Sequence, residues 1–362
     1  MSSTTVTDPE SGPAETAILA RLNAVRLIVV VFIALGYAST MAVGPSSQEW
    51  LNSFGYDPSL FGLQVLFFIS GWLAWRSLSR GRSAREFIRS RARHVLPWLA
   101  LYTAIVAAIL YPLLRDNSAE TTLGAFGLIG YFLTTTTLIQ PGQAMPGALD
   151  GALYPGLLQG AIWSLRWGGI AYAALLIAAL VGLRRRMWYA AALVIVLGAH
   201  VGVNMWTDQT GSAQLTKIIP GLRLAVPFLL GICAYGWRER LPRTSAGWFI
   251  LSILALAATV IHYYGFGWSY AIEIMAMTGW CALAMSLLHS RTPILRNWPR
   301  LALTLFLGAW PMAQLLLALF PAISVAALVG ATLICAFGLA VALVSLGRII
   351  RTRHVHRRIQ PT

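Results

Sequence analysis

Long uncharged apolar runs, separated by short clusters of arginine, constrain this chain more than any other feature of its sequence. Leu27 to Tyr37, Leu175 to Leu183 and Val325 to Leu346 are examples, and a helix needs ~20 mostly apolar residues to cross a bilayer. Lipid offers no partner to backbone N–H and C=O groups, so such a run has to satisfy them internally, as an α-helix does. Spans are expected near residues 27–43, 59–76, 94–114, 157–182, 187–205, 220–237, 246–264, 268–289, 301–320 and 322–346. The count predicts an all-α, polytopic membrane protein of about ten transmembrane helices. Composition agrees: 57% of the 362 residues are apolar, only 11% are charged, and mean hydropathy is +0.69, whereas about a quarter of residues carry charge in soluble domains.

Charge decides how the spans are threaded. The formal net charge is +15, and the basic residues flank apolar segments in clusters: Arg76 to Arg93, Arg184 to Arg186, Arg238 to Arg243, Arg291 to Arg300, and Arg348 to Arg358. This is the positive-inside arrangement, read as topology and contact with anionic lipid rather than as a surface for nucleic acid. The Arg76 and Arg184 clusters share the cytoplasmic side only if an even number of crossings separates them. Spans 94–114 and 157–182 supply two. An eleventh apolar stretch, Leu123 to Ile139, with Gly124, Gly127 and Gly130, is therefore expected to re-enter or to lie on the outer side. Both termini are then expected on the cytoplasmic side of a multi-pass membrane protein, and the expected location is a bacterial plasma membrane.

Residues 1–20 open with a Ser-, Thr-, Pro- and Gly-rich segment that lacks the basic start of a signal peptide, and are expected to form a disordered tail. Residues 21–346 form the transmembrane domain, and 347–362 a basic cytoplasmic tail. Cys233, Cys281 and Cys335 lie in apolar segments without CxxC spacing, so neither a disulfide nor a metal site is expected. Trp50, Trp188, Trp206, Trp248 and Trp268 fall near span ends, as interfacial anchors do.

Ionisable groups at membrane depth are costly and mark function by default. Arg223 and Glu273 fall near the outer ends of their helices and Arg166 somewhat deeper, so one ion-pair cluster is expected of the three. His200, His262 and His289 receive no role beyond packing.

The segment LQVLFFISGWLAWRSLSRGRSAREFIRSRARHVLP, Leu63 to Pro97, resembles the acyltransferase 3 family of membrane proteins. That family's pattern is FFxxSGF, a basic loop, and Arg-Ile-Leu-Pro opening the next helix; Phe67, Phe68, Ser70, Gly71, Leu96 and Pro97 match it. Trp163, Ser164, Leu165 and Tyr172 are similar to its WSLxxExxFY segment, and Arg223 with Phe228 to Gly231 to its R-x4-FLLG segment. The first helix carries the family arginine at Arg26. The resemblance implies transfer of an acyl group, often acetyl, from a cytoplasmic acyl-CoA-type donor to an envelope sugar, lipid or polyketide hydroxyl. The donor is a co-substrate; no permanently bound cofactor is implied. Arginine suits its phosphates through bidentate hydrogen bonds, and Arg82, Arg89, Arg91 and Arg93 are the candidates. Trp163, Ser164, Arg223 and Glu273 are candidates for the acceptor.

The family's acid–base residues are replaced. Its first-helix histidine, eleven positions after Arg26, is Tyr37; its WSLxxE glutamate is Gly168; its Asp before Arg26 is Asn23; and the Arg of Arg-Ile-Leu-Pro is His94. A Tyr with pKa ~10 is a poor base beside a His near ~6.5, and a lost general base costs on the order of 10²- to 10⁴-fold in rate. Two expectations follow. In one, the chain is a divergent acyltransferase using Arg26, Tyr37 and Arg166, with His94 as a relocated base. In the other, it is a silent relative that binds, translocates or helps assemble an envelope lipid or glycan. A secondary transporter would need paired halves with interrupted helices, and no internal repeat is visible.

Overall fold

The structure, a computed structural model, describes residues 13–44, 58–116, 122–267, 270–290 and 300–359, with the side chains of 13–20 and 348–359 excepted. Residues 1–12 and Trp50, Trp268, Arg291 and Arg296 lie outside the described residues, as do the side chains of the Arg348 to Arg358 cluster. The described chain is helical, with ten helices long and apolar enough to cross a membrane. They are α1 (Pro13–Val43), α2 (Pro58–Ser79), α3 (Ala84–Leu114), α5 (Trp163–Leu180), α6 (Arg186–Thr210), α7 (Ile219–Gly236), α8 (Ser245–Phe266), α9 (Tyr270–His289), α10 (Leu301–Leu319) and α11 (Val325–Ile359). Helix α4 (Ala125–Thr136) is the eleventh apolar stretch. Its twelve residues rise only about 18 Å, well short of a ~30 Å hydrocarbon core.

Three boundaries differ from the sequence reading. Helix α1 begins at Pro13, inside the expected tail, because Ala14 to Ala20 supplies good helix formers. Helix α11 runs through the basic tail to Ile359. Helix α3 starts ten residues before the expected 94, where Ser83 and Glu86 form a reciprocal capping box. Most of the expected arginine loop is thus the first three turns of a helix.

Helix α1 sits at the centre, packed by α2, α9, α10 and α11. Helices α6 and α8 are peripheral, each resting mainly on one neighbour, α7 and α9 respectively, with their other faces apolar as lipid contact requires. The basic segments converge on one end of the bundle. Arg186 Nη1 donates to Gly236 O at 3.4 Å and stacks its guanidinium on Trp237, and Arg21 Nη1 donates to Leu288 O at 3.4 Å. This is called the basic end below.

Helices α2 and α7 approach backbone to backbone. A Cβ on Gly71 would collide with the Phe228 carbonyl, and one on Gly231 with the Phe68 carbonyl. The obstacle is backbone on both sides, so only glycine lets the helices meet there. Gly231→Ala is therefore expected to lower stability in detergent by about 1–3 kcal/mol, while Gly198→Ala, where a Cβ meets open space, leaves thermal unfolding nearly unchanged.

Candidate functional site

At the basic end, α1, α3, α5 and the start of α10 bring together groups far apart in the chain. Residues 87, 91, 94, 98 and 102 follow one stripe of α3 at 3- and 4-residue steps, so Arg91 and His94 share a face. The Arg91 guanidinium lies 5.0 Å from the Tyr172 ring centre and 5.5 Å from that of Phe87, a cation–π contact with each. Tyr172 is held edge-on by Phe87 at 5.8 Å and by Phe228 at 5.7 Å. Half-buried Arg26 is coupled electrostatically to Tyr172 and to Arg91, and His94 to Arg26, Arg91 and Arg300. Among the described residues, no carboxylate is among the groups acting on Arg26 or His94. Three guanidiniums and an imidazole therefore share one patch of field, the arrangement that attracts an anion.

Of the arginines expected at the donor, only Arg91 joins this patch. Arg82, Arg89 and Arg93 are exposed: Arg82 stands in the turn before α3, and the helical period sends Arg89 and Arg93 to the face opposite Arg91. Sequence reading missed Arg300, whose distance along the chain hid it, and passed over Tyr172 although its motif matched.

Toward the opposite end, eleven residues and about 16 Å along α1, Tyr37 is buried. Its ring meets Trp310 of α10 edge-on at 5.2 Å, and Trp310 meets Tyr154 at 5.6 Å. Trp310 Nε1 donates to Leu157 O at 2.7 Å, and Gln314 Nε2 to the Tyr154 and Leu157 carbonyls at 3.2 Å each. Gly160 leaves room for the indole, which a Cβ would strike. The segment before α5 is thereby latched over Tyr37. Gly168, where the family glutamate would stand, faces Phe67, whose Cζ would lie 3.8 Å from a Cβ. Trp163 packs half-buried against the core, and the Ser164 hydroxyl is turned to its own helix start, donating to Ala161 O at 3.3 Å.

The expected three-residue cluster forms with a different third member. Arg223 grips Glu273 through both oxygens, Nε to Oε1 at 2.6 Å and Nη2 to Oε2 at 3.1 Å. The third group is His200, with Nε2 3.5 Å from Glu273 Oε2 and Nδ1 3.2 Å from Asn204 Nδ2. Arg166 is exposed and makes no ion pair among the described residues. Helical spacing explains the correction: Ser164, Gly168 and Tyr172 lie on the inward stripe of α5, and Arg166 points away from it. A histidine four residues before an asparagine in an apolar helix was the signal available for His200.

Residues 19–347 match the family model described as an acyltransferase domain. The chain belongs to the acyltransferase 3 family. Neither curated proteins nor solved structures give a match. The family's membership makes this a multi-pass membrane protein with an acyltransferase-like role. Two of the family's segments serve packing here, since Gly71 of FFISGW and Gly231 of FLLG form the α2–α7 contact. The arginine of the second, Arg223, also holds Glu273. Removing one partner of a buried ion pair strands the other. Glu273→Ala is expected to destabilise by about 3 kcal/mol, and the Arg223→Ala, Glu273→Ala double variant by less than the sum of the singles in chemical unfolding.

Proposed function

We propose that this acyltransferase 3 protein takes a phosphate-bearing acyl donor of the acyl-CoA type at the Arg26, Arg91, His94 and Arg300 patch, and that the patch faces the cytoplasm of a bacterial plasma membrane. The observation that carries the reading is a cationic patch assembled from three helices with no carboxylate acting on Arg26 or His94 among the described residues. Structural arginines at membrane depth normally have a partner, and here an anion would supply it. Arg91, braced against Phe87 and Tyr172, presents its fork ready-oriented for phosphate. His94, set among guanidiniums, belongs with the donor's anion rather than with an acceptor hydroxyl. Transfer to an envelope sugar, lipid or polyketide hydroxyl forms an ester C–O bond and breaks the donor's C–S bond, the hydroxyl proton leaving with the thiol. Acetyl is the group this reading favours.

A second reading rests on Tyr37 and Gly168. With the tyrosine sealed beneath Trp310 and Phe67 facing the glutamate position, neither family acid–base site offers a side chain to a substrate. A protein that binds donor or envelope lipid without turnover fits that arrangement, and Arg223 with Glu273 then serves as a structural clasp rather than an acceptor contact.

Binding of coenzyme A to the purified chain in nanodiscs tests the first reading. Charge-assisted hydrogen bonds are worth about 1.5–3 kcal/mol, so Arg91→Ala or Arg26→Ala should weaken affinity by roughly ten- to a hundredfold, and Arg89→Ala by less than about twofold. Equal affinity in wild type and Arg91→Ala would reject it. Turnover of labelled acetyl-CoA separates the two readings: release or transfer that falls in Arg26→Ala supports an enzyme, and binding without either supports the silent protein.

A further inference from the structure

A narrow apolar slot opens between α3, α10 and α11, lined among others by Tyr102, Val106, Leu110, Gly308, Met312 and Leu339. Its wall holds a single polar side chain. Tyr102 is only 1% exposed, and its hydroxyl has no hydrogen-bond partner among the described residues. A buried phenol usually finds one, so the vacancy points to a ligand that accepts a hydrogen bond. Two local departures from regular packing shape the slot. The turn Val106–Leu110 of α3 is π-helical, a distortion frequent at functional sites. Opposite it, Gly308 lets the Tyr102 hydroxyl pass 3.1 Å from where a Cβ would stand.

The slot is also in register with the basic patch. Arg91 and Tyr102 are eleven residues apart on one face of α3, about 16 Å along the axis, and Arg300 and Pro311, another wall residue, repeat that spacing on α10. Arg91 and Arg300 therefore stand about 16 Å along their helices from the slot, a separation on the scale of an extended pantetheine arm.

We propose that this slot holds the acyl group of the donor, with the Tyr102 Oη–H donating to the thioester carbonyl and the apolar walls enclosing a short chain. The proposal rests on the donor reading above and adds a specificity site to it. An acceptor that only needs burial would not call for the hydroxyl; a carbonyl does.

The test uses the full chain in nanodiscs and two photoreactive probes, a diazirine-tagged short acyl-CoA and a phosphatidylcholine tagged in its acyl chain, with cross-linked peptides mapped by mass spectrometry. Labelling by the acyl-CoA within 102–110, 308–315 or around Leu339, competed by unlabelled acetyl-CoA and lost in Arg91→Ala, is expected. Labelling there by the phospholipid alone, or by neither probe, overturns the slot. Affinity provides the second arm. Tyr102→Phe should weaken acetyl-CoA about three- to tenfold and leave coenzyme A itself unchanged, because only the former brings a carbonyl. An equal effect on both ligands, or on neither, contradicts the assignment. Wild-type protein that binds coenzyme A yet labels elsewhere defeats the slot and spares the donor reading; protein that binds no coenzyme A defeats both.

Discussion

The cost of holding a guanidinium in hydrocarbon organises this molecule. Arginine is placed where water or a partner can meet it, and in this chain that requirement gathers the segments between alternate spans at one end of the bundle. The contacts of Arg186 with Gly236 and Trp237, and of Arg21 with Leu288, show these segments meeting. Helix α4 conforms to the same rule. Had it crossed, the Arg184 cluster would have moved to the opposite end, away from Trp237. Within the spans, Arg223 is held by Glu273 and Arg91 lies over two aromatic rings, while Arg166 makes no ion pair among the described residues.

The two ends of the bundle differ in character. At the basic end, three guanidiniums and an imidazole from three helices share one field, and among the described residues no carboxylate acts on Arg26 or His94. At the other end, aromatic rings and a hydrogen-bonded segment close over Tyr37. On the proposed reading the basic end takes an anionic donor, and the indole packed on Tyr37 fits an acyltransferase frame whose chemistry has moved from the first helix or has lapsed.

Hydropathy and charge made most of the fold legible. All ten spans lie where apolar length placed them, because lipid enforces a strong and local rule. Helix starts were less legible: the ten residues ahead of position 94 carry too much charge to register as a span, yet the Ser83–Glu86 box starts the helix there. The site was legible only in part. Arg26 and His94 came from motif positions, but the choice of Arg91 over Arg89 and Arg93 depends on which face of α3 meets Tyr172, and that follows from packing. Arg300 and His200 were hidden because their partners lie hundreds or tens of residues away. Arg166 misled because membrane depth alone does not give direction around a helix.

The proposal at the centre of this account is that an anion binds where α1, α3 and α10 meet and that this patch opens to the cytoplasm. A single reporter cysteine at His94 (His94→Cys in a chain whose Cys233, Cys281 and Cys335 are replaced by Ala), probed with an impermeant maleimide in oriented membrane vesicles, examines sidedness and occupancy together. The account predicts labelling in inside-out vesicles only, slowed by coenzyme A. Labelling from the outer face, or labelling from the inner face that coenzyme A leaves untouched, would contradict it.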